Sequence, residues 1–122
     1  MSLRILIAED NYTLRRLYMK GLENLDIDII EAGSAKDTMK LIAAESFDVM
    51  ICDIEMGDGT NFETIDEAVK QGITVIAISA YENYEPECIQ RGAVTFLQKP
   101  FPTRALARAV QDQLSASANG TL

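Results

Sequence analysis

Five polar residues of this chain each follow a short apolar run, and together they have the chemistry of a phosphoryl-transfer site. They are three acids, a hydroxyl and an amine: Glu9, Asp10, Asp53, Ser79 and Lys99. Three carboxylates held close together repel one another, and a hard divalent cation such as Mg²⁺ is the usual remedy. The cation attracts a phosphate group, whose other oxygens an amine and a hydroxyl can bind. One carboxylate can then act as the nucleophile of an in-line displacement.

Taken singly, each of these residues has an ordinary explanation. Acids at strand ends often cap the next helix, a serine there often makes a local turn, and a lysine beside proline is usually solvated. Their occurrence at successive strand ends is what favours a shared site over five separate coincidences.

The elements that must position these residues alternate between strand and helix. Apolar runs of strand length are predicted at 3–8, 27–31, 48–52, 73–78 and 94–97. Because these runs are almost wholly apolar, we expect burial on both faces, as in parallel sheets covered by helices. The pattern predicts an α/β fold with a doubly wound, five-stranded parallel sheet. Ligands of such sheets bind at the carboxyl ends of the strands, where the five polar residues lie.

Helical periodicity fills the intervals between the strands. The first helix has an apolar face that includes Gly21, which indicates close packing against another element. Ser34, with Asp37 three residues later, is typical of a helix start. A third helix is predicted at 62–70, a short fourth at 87–91, and a last one through Leu114. One domain is expected at 1–115, followed by a disordered tail at 116–122.

Composition excludes several classes of function. A net charge of −8 argues against direct binding to nucleic acid. No segment has the length and apolar character of a membrane span or the pattern of a signal peptide, so we expect a cytoplasmic protein without a membrane partner. The two cysteines, Cys52 and Cys88, lack metal-ligand spacing and are expected to be reduced thiols.

Four segments resemble the response-regulator receiver domains (CheY-like) of two-component signalling. They are ILIAED at 5–10, FDVMICDIEM at 47–56, ISA at 78–80 and GAVTFLQKPF at 92–101. The last is the most specific, since Lys99-Pro100 follows a Gly-Ala turn and an aromatic residue at the family spacing. The resemblance covers the chain up to the last helix and implies a flavodoxin-like (βα)₅ fold with strand order 2-1-3-4-5.

The resemblance also implies a role for each site residue. Asp53 matches the phosphoacceptor, Asp10 matches a metal ligand that Glu9 assists through water, and the carbonyl of Glu55 completes the protein ligands of Mg²⁺, with Mn²⁺ as a substitute. Ser79 and Lys99 match the groups that contact the phosphoryl oxygens. In the family, a cis peptide bond joins the lysine to Pro100.

The implied output is a change of a protein-binding surface. Phe96 matches the aromatic residue that turns inward when the Ser79 hydroxyl moves toward the phosphate, so these two residues form the switch. The expected donor is a sensor histidine kinase or a histidine phosphotransfer protein. The surface of the fourth helix, fifth strand and fifth helix would meet a downstream protein or an attached output domain. Such a domain is a self-phosphorylating switch that loses its own phosphate, rather than a turnover enzyme.

The loop after Asp53 departs from the family pattern at two positions. Gly57 stands where proline is usual and is expected to loosen the loop. Asn61 stands where glycine is usual, and this change is expected to be mild because asparagine tolerates the left-handed backbone that glycine adopts freely. The Glu55 side chain, two residues past the acceptor, is expected to tune the lifetime of the acyl phosphate together with Tyr81, so that Glu55→Ala changes phosphate loss without abolishing uptake.

Two other readings differ in class. A phosphatase of the haloacid dehalogenase type also combines a nucleophilic aspartate, a hydroxyl and a lysine, but its nucleophile follows the first strand and its acidic pair comes last. Here the acidic pair comes first, which disfavours the phosphatase. A receiver-like binding module that takes no phosphate is the second alternative, and the Gly57 loop is its only support.

Overall fold

A computed structural model describes residues 3–119, with side chains described through residue 116. Its strands are β1 (Leu3–Ala8), β2 (Ile27–Ala32), β3 (Val49–Asp53), β4 (Glu55–Met56), β5 (Gly59–Thr60), β6 (Thr74–Ser79) and β7 (Thr95–Gln98). The described helices are α1 (Tyr12–Gly21), α2 (Ala35–Ala44), α3 (Phe62–Lys70), α4 (Glu85–Gln90) and α5 (Thr103–Asn119). Five strands form a parallel sheet in the order β2-β1-β3-β6-β7. The predicted order is confirmed, because β6 and β7 are the fourth and fifth strands of this sheet along the chain.

Helices bury both faces of the sheet, as the apolar strands predicted. On one face the strands pack against Ile42 of α2 and Ile65 of α3. On the other face they pack against Tyr18 of α1 and Leu106 of α5. The central strand β3 is buried along its whole length, whereas the edge strand β2 is mostly half-buried. The carboxyl ends of β1, β3 and β6 therefore open onto one edge of the domain, between the two helical layers.

Two helices begin where a short polar side chain caps them. The Asn11 side chain accepts a hydrogen bond from the Leu14 N–H at the start of α1. The Ser34 hydroxyl accepts one from the Asp37 N–H at the start of α2, which confirms the predicted cap. Each bond satisfies a backbone donor that the first turn of a helix otherwise leaves unpaired.

Helix α1 packs closely against the start of α5, as Gly21 predicted. A Cβ atom built on Gly21 would lie 2.9 Å from the Thr103 Cβ. This separation is closer than two side-chain carbons can approach without displacement. The absence of a side chain at Gly21 therefore sets the distance between the two helices.

Helix α4 differs from its predicted form. A 3₁₀ turn at Glu82–Tyr84 precedes it, and the helix begins at Glu85 rather than beyond Pro86. Gly92 follows its end with φ +113°, a backbone conformation that glycine adopts without steric cost. This segment has too few apolar residues to show a helical period, so the sequence did not locate its start.

The hairpin of β4 and β5 was not predicted from the sequence. Its strands have two residues each and pair antiparallel, directly after Asp53. Between them, the Asp58 carboxylate accepts hydrogen bonds from the backbone N–H groups of Ala35 (2.9 Å) and Lys36 (3.2 Å) in the first turn of α2. These bonds hold the pKa of Asp58 below its usual value. The loop after Asp53 is thus attached to a helix.

The last helix is longer than predicted. It continues to Asn119, so the expected boundary at residue 115 falls inside α5, and residues 120–122 of the expected tail lie outside the described residues. Among the described helices, none has both the length and the apolar composition needed to cross a membrane.

Candidate functional site

The predicted site residues gather at the carboxyl edge of the sheet. Glu9 and Asp10 follow β1, Asp53 ends β3, Ser79 ends β6, and Lys99 follows β7. Carboxylate oxygens of Glu9, Asp10 and Asp53 all lie within 4.8 Å of one another. The sheet order explains this proximity, because β1 and β3 are neighbours and β6 lies next to β3.

Asp53 is buried and ion-paired. Its Oδ2 lies 2.6 Å from the Lys99 Nζ, and its Oδ1 accepts a hydrogen bond from the Glu55 N–H at 3.1 Å. Burial is the largest influence on its pKa and raises it to about 7; the Glu9 charge also raises it, while the Lys99 ammonium opposes the rise. Without a cation, the site therefore resists full ionisation of Asp53 near neutral pH.

Lys99 forms ion pairs with two of the three acids. Its Nζ lies 3.0 Å from Glu9 Oε1 as well as 2.6 Å from Asp53 Oδ2. Burial alone would lower the pKa of Lys99, but the hydrogen bond to Asp53 and the charges of Asp53 and Glu9 outweigh it and raise the pKa. The amine is therefore charged at neutral pH. The backbone N–H of Lys99 also donates to the Ser79 carbonyl at 2.8 Å, and the predicted cis bond to Pro100 is confirmed.

Glu9 is almost completely buried, and its carboxylate is only partly satisfied. Oε2 accepts a hydrogen bond from the Asn11 N–H at 3.1 Å. Oε1 faces Lys99, yet among the described residues it accepts no hydrogen bond of good geometry. The Glu9 carbonyl accepts a bond of 2.6 Å from Arg15, whose guanidinium also pairs with Glu31. Arg15 thus fixes the backbone of the acidic pair, a role that its place in the first helix did not predict.

Asp10 is exposed, and the Gly57 loop holds it. Its Oδ2 accepts a hydrogen bond of 2.7 Å from the Gly57 N–H. The proline usual at this position in the family has no N–H to give. The substitution that was expected only to loosen the loop therefore also supplies a donor to a predicted metal ligand.

Ser79 has Glu55 as its immediate partner. The Ser79 hydroxyl donates to Glu55 Oε2 at 2.7 Å, and the neighbouring Ala80 N–H lies 3.2 Å from Glu55 Oε1. The hydroxyl also accepts a bond from the Tyr81 N–H at 2.9 Å. Glu55 was predicted to contribute its carbonyl and to flank the site, but the bond from its carboxylate to the predicted switch hydroxyl was not foreseen.

Asn61 does not use the left-handed backbone that asparagine tolerates. Its φ is −106° and its ψ 25°, and Gly59 at φ +136° is the residue of this loop with positive φ. Asn61 is fully buried: its amide donates to the Asp53 carbonyl at 2.8 Å and accepts from the Thr64 hydroxyl at 2.9 Å. An Asn directly before a helix is a recognisable helix-start signal, but the Asn61 side chain makes no capping hydrogen bond and binds the Asp53 carbonyl instead.

Phe96, the second predicted switch residue, lies half-buried on β7. It is opposite Ala77 of β6 and packs against the core cluster that also contacts Tyr84. Tyr18, a core residue of α1, lies near the site as well. Burial raises its pKa, the charges of Glu9 and Asp53 raise it further, and Lys99 opposes them.

The donor set fits a hard divalent cation. Three carboxylates lie within reach of one point, and Glu9 Oε1 is a buried oxygen whose bonding capacity is incompletely used. Mg²⁺ prefers oxygen ligands of this kind and is usually held by one or two carboxylates. Nitrogen and sulfur ligands suited to zinc are not part of this cluster.

Known proteins match this chain in sequence. The family model described as the response regulator receiver domain matches residues 5–111. The transcriptional regulatory protein GlrR of Escherichia coli K12 is 28% identical over 96% of this chain, and the DNA-binding transcriptional regulator NtrC of Azospirillum brasilense is 25% identical over 93%. The chain spans 27% of the first relative and 24% of the second, about a quarter of each.

Solved structures match its fold. The receiver domain of a Luxo repressor protein from Vibrio parahaemolyticus superposes with a TM-score of 0.90 at 22% identity, covering 99% of this chain and 96% of its own. The regulator TrrA of Thermotoga maritima, solved in complex with Mg²⁺ and a beryllium fluoride, has a TM-score of 0.81 at 25% identity and covers 93% of this chain and 99% of its own.

Proposed function

Because the chain belongs to the response regulator receiver domain family, whose model spans residues 5–111, we propose that Asp53 is its phosphoacceptor. Phosphoryl transfer in two-component signalling is the function of the family. The observation that carries the assignment is the buried Asp53 carboxylate, 2.6 Å from the Lys99 ammonium and clustered with Glu9 and Asp10.

The transfer assigns a task to each side chain. An oxygen of the Asp53 carboxylate attacks phosphorus, the P–N bond of the phosphohistidine donor breaks, and its electron pair leaves with the imidazole, which takes up a proton. Lys99 neutralises charge on a phosphoryl oxygen, and the Ser79 hydroxyl donates a hydrogen bond to another. Ser79 and Phe96 then form the switch. Positioning and charge stabilisation, rather than acid–base chemistry, carry the rate of such a step.

The metal of this proposal is Mg²⁺. Glu9, Asp10, Asp53 and the carbonyl of Glu55 would hold it, with Mn²⁺ as a substitute. When bound, it supplies positive charge to the carboxylates and to the incoming phosphoryl oxygens. The complex of TrrA with Mg²⁺ and beryllium fluoride supports this assignment by analogy.

The partners follow from the family. Response regulators receive phosphoryl groups from histidine kinases, and relatives of this chain carry further domains. We expect a sensor histidine kinase or a histidine phosphotransfer protein as the donor, and an unknown downstream protein or attached output domain on the surface of α4, β7 and α5. This domain itself would bind neither nucleic acid nor membrane. The two free, buried cysteines agree with a reducing, cytoplasmic location.

The test is incubation with acetyl phosphate and Mg²⁺, followed by mass spectrometry of the intact protein. We expect one phosphoryl group on the wild type and none on Asp53→Asn. Asp37→Asn, which alters an exposed acid in the first turn of α2, is the matched control and should be phosphorylated like the wild type.

Equal gain of mass by the wild type and Asp53→Asn would show that the acceptor is another residue. No gain by the wild type would favour a binding module that takes no phosphate.

A further inference from the structure

The Glu55 carboxylate binds two donors at the end of the strand next to the one that ends at Asp53. The Ser79 hydroxyl is 2.7 Å from one of its oxygens, and the Ala80 N–H is 3.2 Å from the other. A hydroxyl and an adjacent backbone N–H that converge on one anion form an anion-binding pair. Both donors lie at the carboxyl end of β6, the strand next to the one that Asp53 ends.

The backbone aims this carboxylate. The Glu55 N–H donates to Asp53 Oδ1 at 3.1 Å, so the Asp53 carboxylate itself anchors the residue whose side chain binds the two donors. The Ile54 N–H donates to the Ile78 carbonyl at 2.8 Å, which holds the segment after β3 against the end of β6. Glu55 also pairs with Thr60 in the β4–β5 hairpin, and this pairing holds the Glu55 backbone on its other side.

From these contacts we propose that Glu55 is an internal competitor of the phosphoryl group. Its carboxylate occupies the Ser79 hydroxyl and the Ala80 N–H in the resting domain, and a phosphoryl group on Asp53 must displace it to obtain the same donors. This inference rests on the proposed function and concerns the regulation of that site.

The charges of the two anions favour displacement of the Glu55 carboxylate over simultaneous binding of both anions to the same donors. A phosphoryl group is an anion, and so is the Glu55 side chain, while Glu9 and Asp10 add negative charge nearby. A hydroxyl has one proton to donate, and the Ser79 proton is directed to Glu55. Both anions cannot therefore bind the Ser79 proton at once, and the resting contact raises the phosphoryl-donor or mimic concentration needed to fill the site.

Two variants separate the contact from the charge. Glu55→Asp keeps the charge but is one methylene shorter, so its carboxylate falls short of the two donors. Glu55→Gln removes the charge but keeps the length and one oxygen acceptor. Glu63→Gln alters an exposed glutamate in the first turn of α3 and is the matched control for charge alone.

The first measurement is made on metal-free protein, so it does not depend on activity. In ¹⁵N-labelled protein, the Ala80 amide proton should shift upfield in Glu55→Asp, because it loses a charged acceptor. The shift should be small in Glu63→Gln. An unchanged Ala80 amide in Glu55→Asp would overturn the proposed resting contact.

The second measurement titrates beryllofluoride in the presence of Mg²⁺ and follows the Ser79 and Ala80 amides. Loss of a charge-assisted competitor should lower the half-saturating concentration about tenfold in Glu55→Asp. Equal half-saturating concentrations for the wild type and Glu55→Asp, with tighter binding only in Glu55→Gln, would show that charge alone controls binding. This result would overturn the proposed competition. No beryllofluoride binding by the wild type would instead remove the proposed function, and the inference with it.

Discussion

At the scale of single residues, Asp53 is subject to opposing demands. A nucleophile must be ionised, but burial and the Glu9 charge raise the pKa of Asp53 to about 7. Lys99 opposes this rise from 2.6 Å without cancelling it. A cation bound among the carboxylates, as proposed, would lower the remaining cost of ionising Asp53.

The first prediction concerns pH and the stability of the metal-free protein. The pKa of Asp53 is higher in the folded state, so its contribution to stability is fully present below its unfolded pKa, about 3.9, and is lost as pH rises to about 7. Asp53→Asn lacks this loss. The difference in free energy of unfolding between Asp53→Asn and the wild type should therefore grow in favour of the variant from pH 4 to pH 7, by a few kcal/mol. Above pH 7 the difference should stay constant.

Urea unfolding of both proteins in EDTA at several pH values measures this difference. An advantage that stays constant from pH 4 to 8 would contradict the raised pKa.

Residue type and strand position predicted most of the site but not its hydrogen bonds. Glu9, Asp10, Asp53, Ser79 and Lys99 were located because each follows a recognisable strand. The partners of Ser79 and Asp10 were not predictable, since they depend on a hairpin whose two-residue strands show no periodicity. The backbone of Asn61 could not be chosen from the sequence, because asparagine suits both a left-handed turn and a helix start.

At the scale of elements, the contact between α1 and α5 depends on Gly21. Helix propensity favours alanine over glycine by about 1 kcal/mol in a helix interior, and by no more than that at Gly21, the last residue of α1. The added Cβ would, however, approach the Thr103 Cβ to 2.9 Å, and such overpacking typically costs about 1–3 kcal/mol. The two effects oppose each other at a single position.

We predict that Gly21→Ala lowers the free energy of unfolding by up to about 2 kcal/mol, because the clash outweighs the gain in helix propensity. Gly33→Ala is the control, since its added Cβ has Arg15 Nη1 at 3.5 Å as its nearest neighbour, an ordinary contact. Denaturant unfolding of the three proteins checks this. A Gly21→Ala protein more stable than the wild type would show that α5 moves aside freely.

The elements were predictable where their pattern was long. Strand boundaries in the sheet were correct to within one residue, and α3 was predicted at its observed bounds, because a strong apolar pattern is flanked by clear stop signals. Helix α4 and the end of α5 were less accurate. Helix α4 is short and follows a 3₁₀ turn, and α5 ends in a run of small residues. In both places apolar and polar positions differ too little for a helical period to be recognised.

At the scale of the whole molecule, the net charge of −8 bears on metal binding. An acidic surface gathers divalent cations without a specific site, and screening alone relieves some self-repulsion. Any stabilisation by Mg²⁺ must therefore be compared with that of a protein of matched charge.

We predict that Mg²⁺ stabilises the wild type through the acidic cluster. Above the dissociation constant, the free energy of unfolding should rise by about 1.4 kcal/mol for each tenfold increase in free Mg²⁺, and EDTA should remove the gain. Asp10→Asn should lose most of this slope, whereas Asp26→Asn, which removes the same charge from an exposed loop, should keep it.

Thermal unfolding across a Mg²⁺ series, with potassium chloride at constant ionic strength, makes the measurement. Equal slopes for Asp10→Asn and Asp26→Asn would mean that the cation acts by general screening.

The bonds from Asp58 to the first turn of α2 have a consequence for local unfolding. Two backbone N–H groups of that helix end on a carboxylate in the hairpin turn, so separating the hairpin would leave both donors unpaired. The turn and the helix start should accordingly open as one cooperative unit. Local opening of the chain beside Asp53 is then limited by α2, although α2 contributes no side chain to the acidic cluster of Glu9, Asp10 and Asp53.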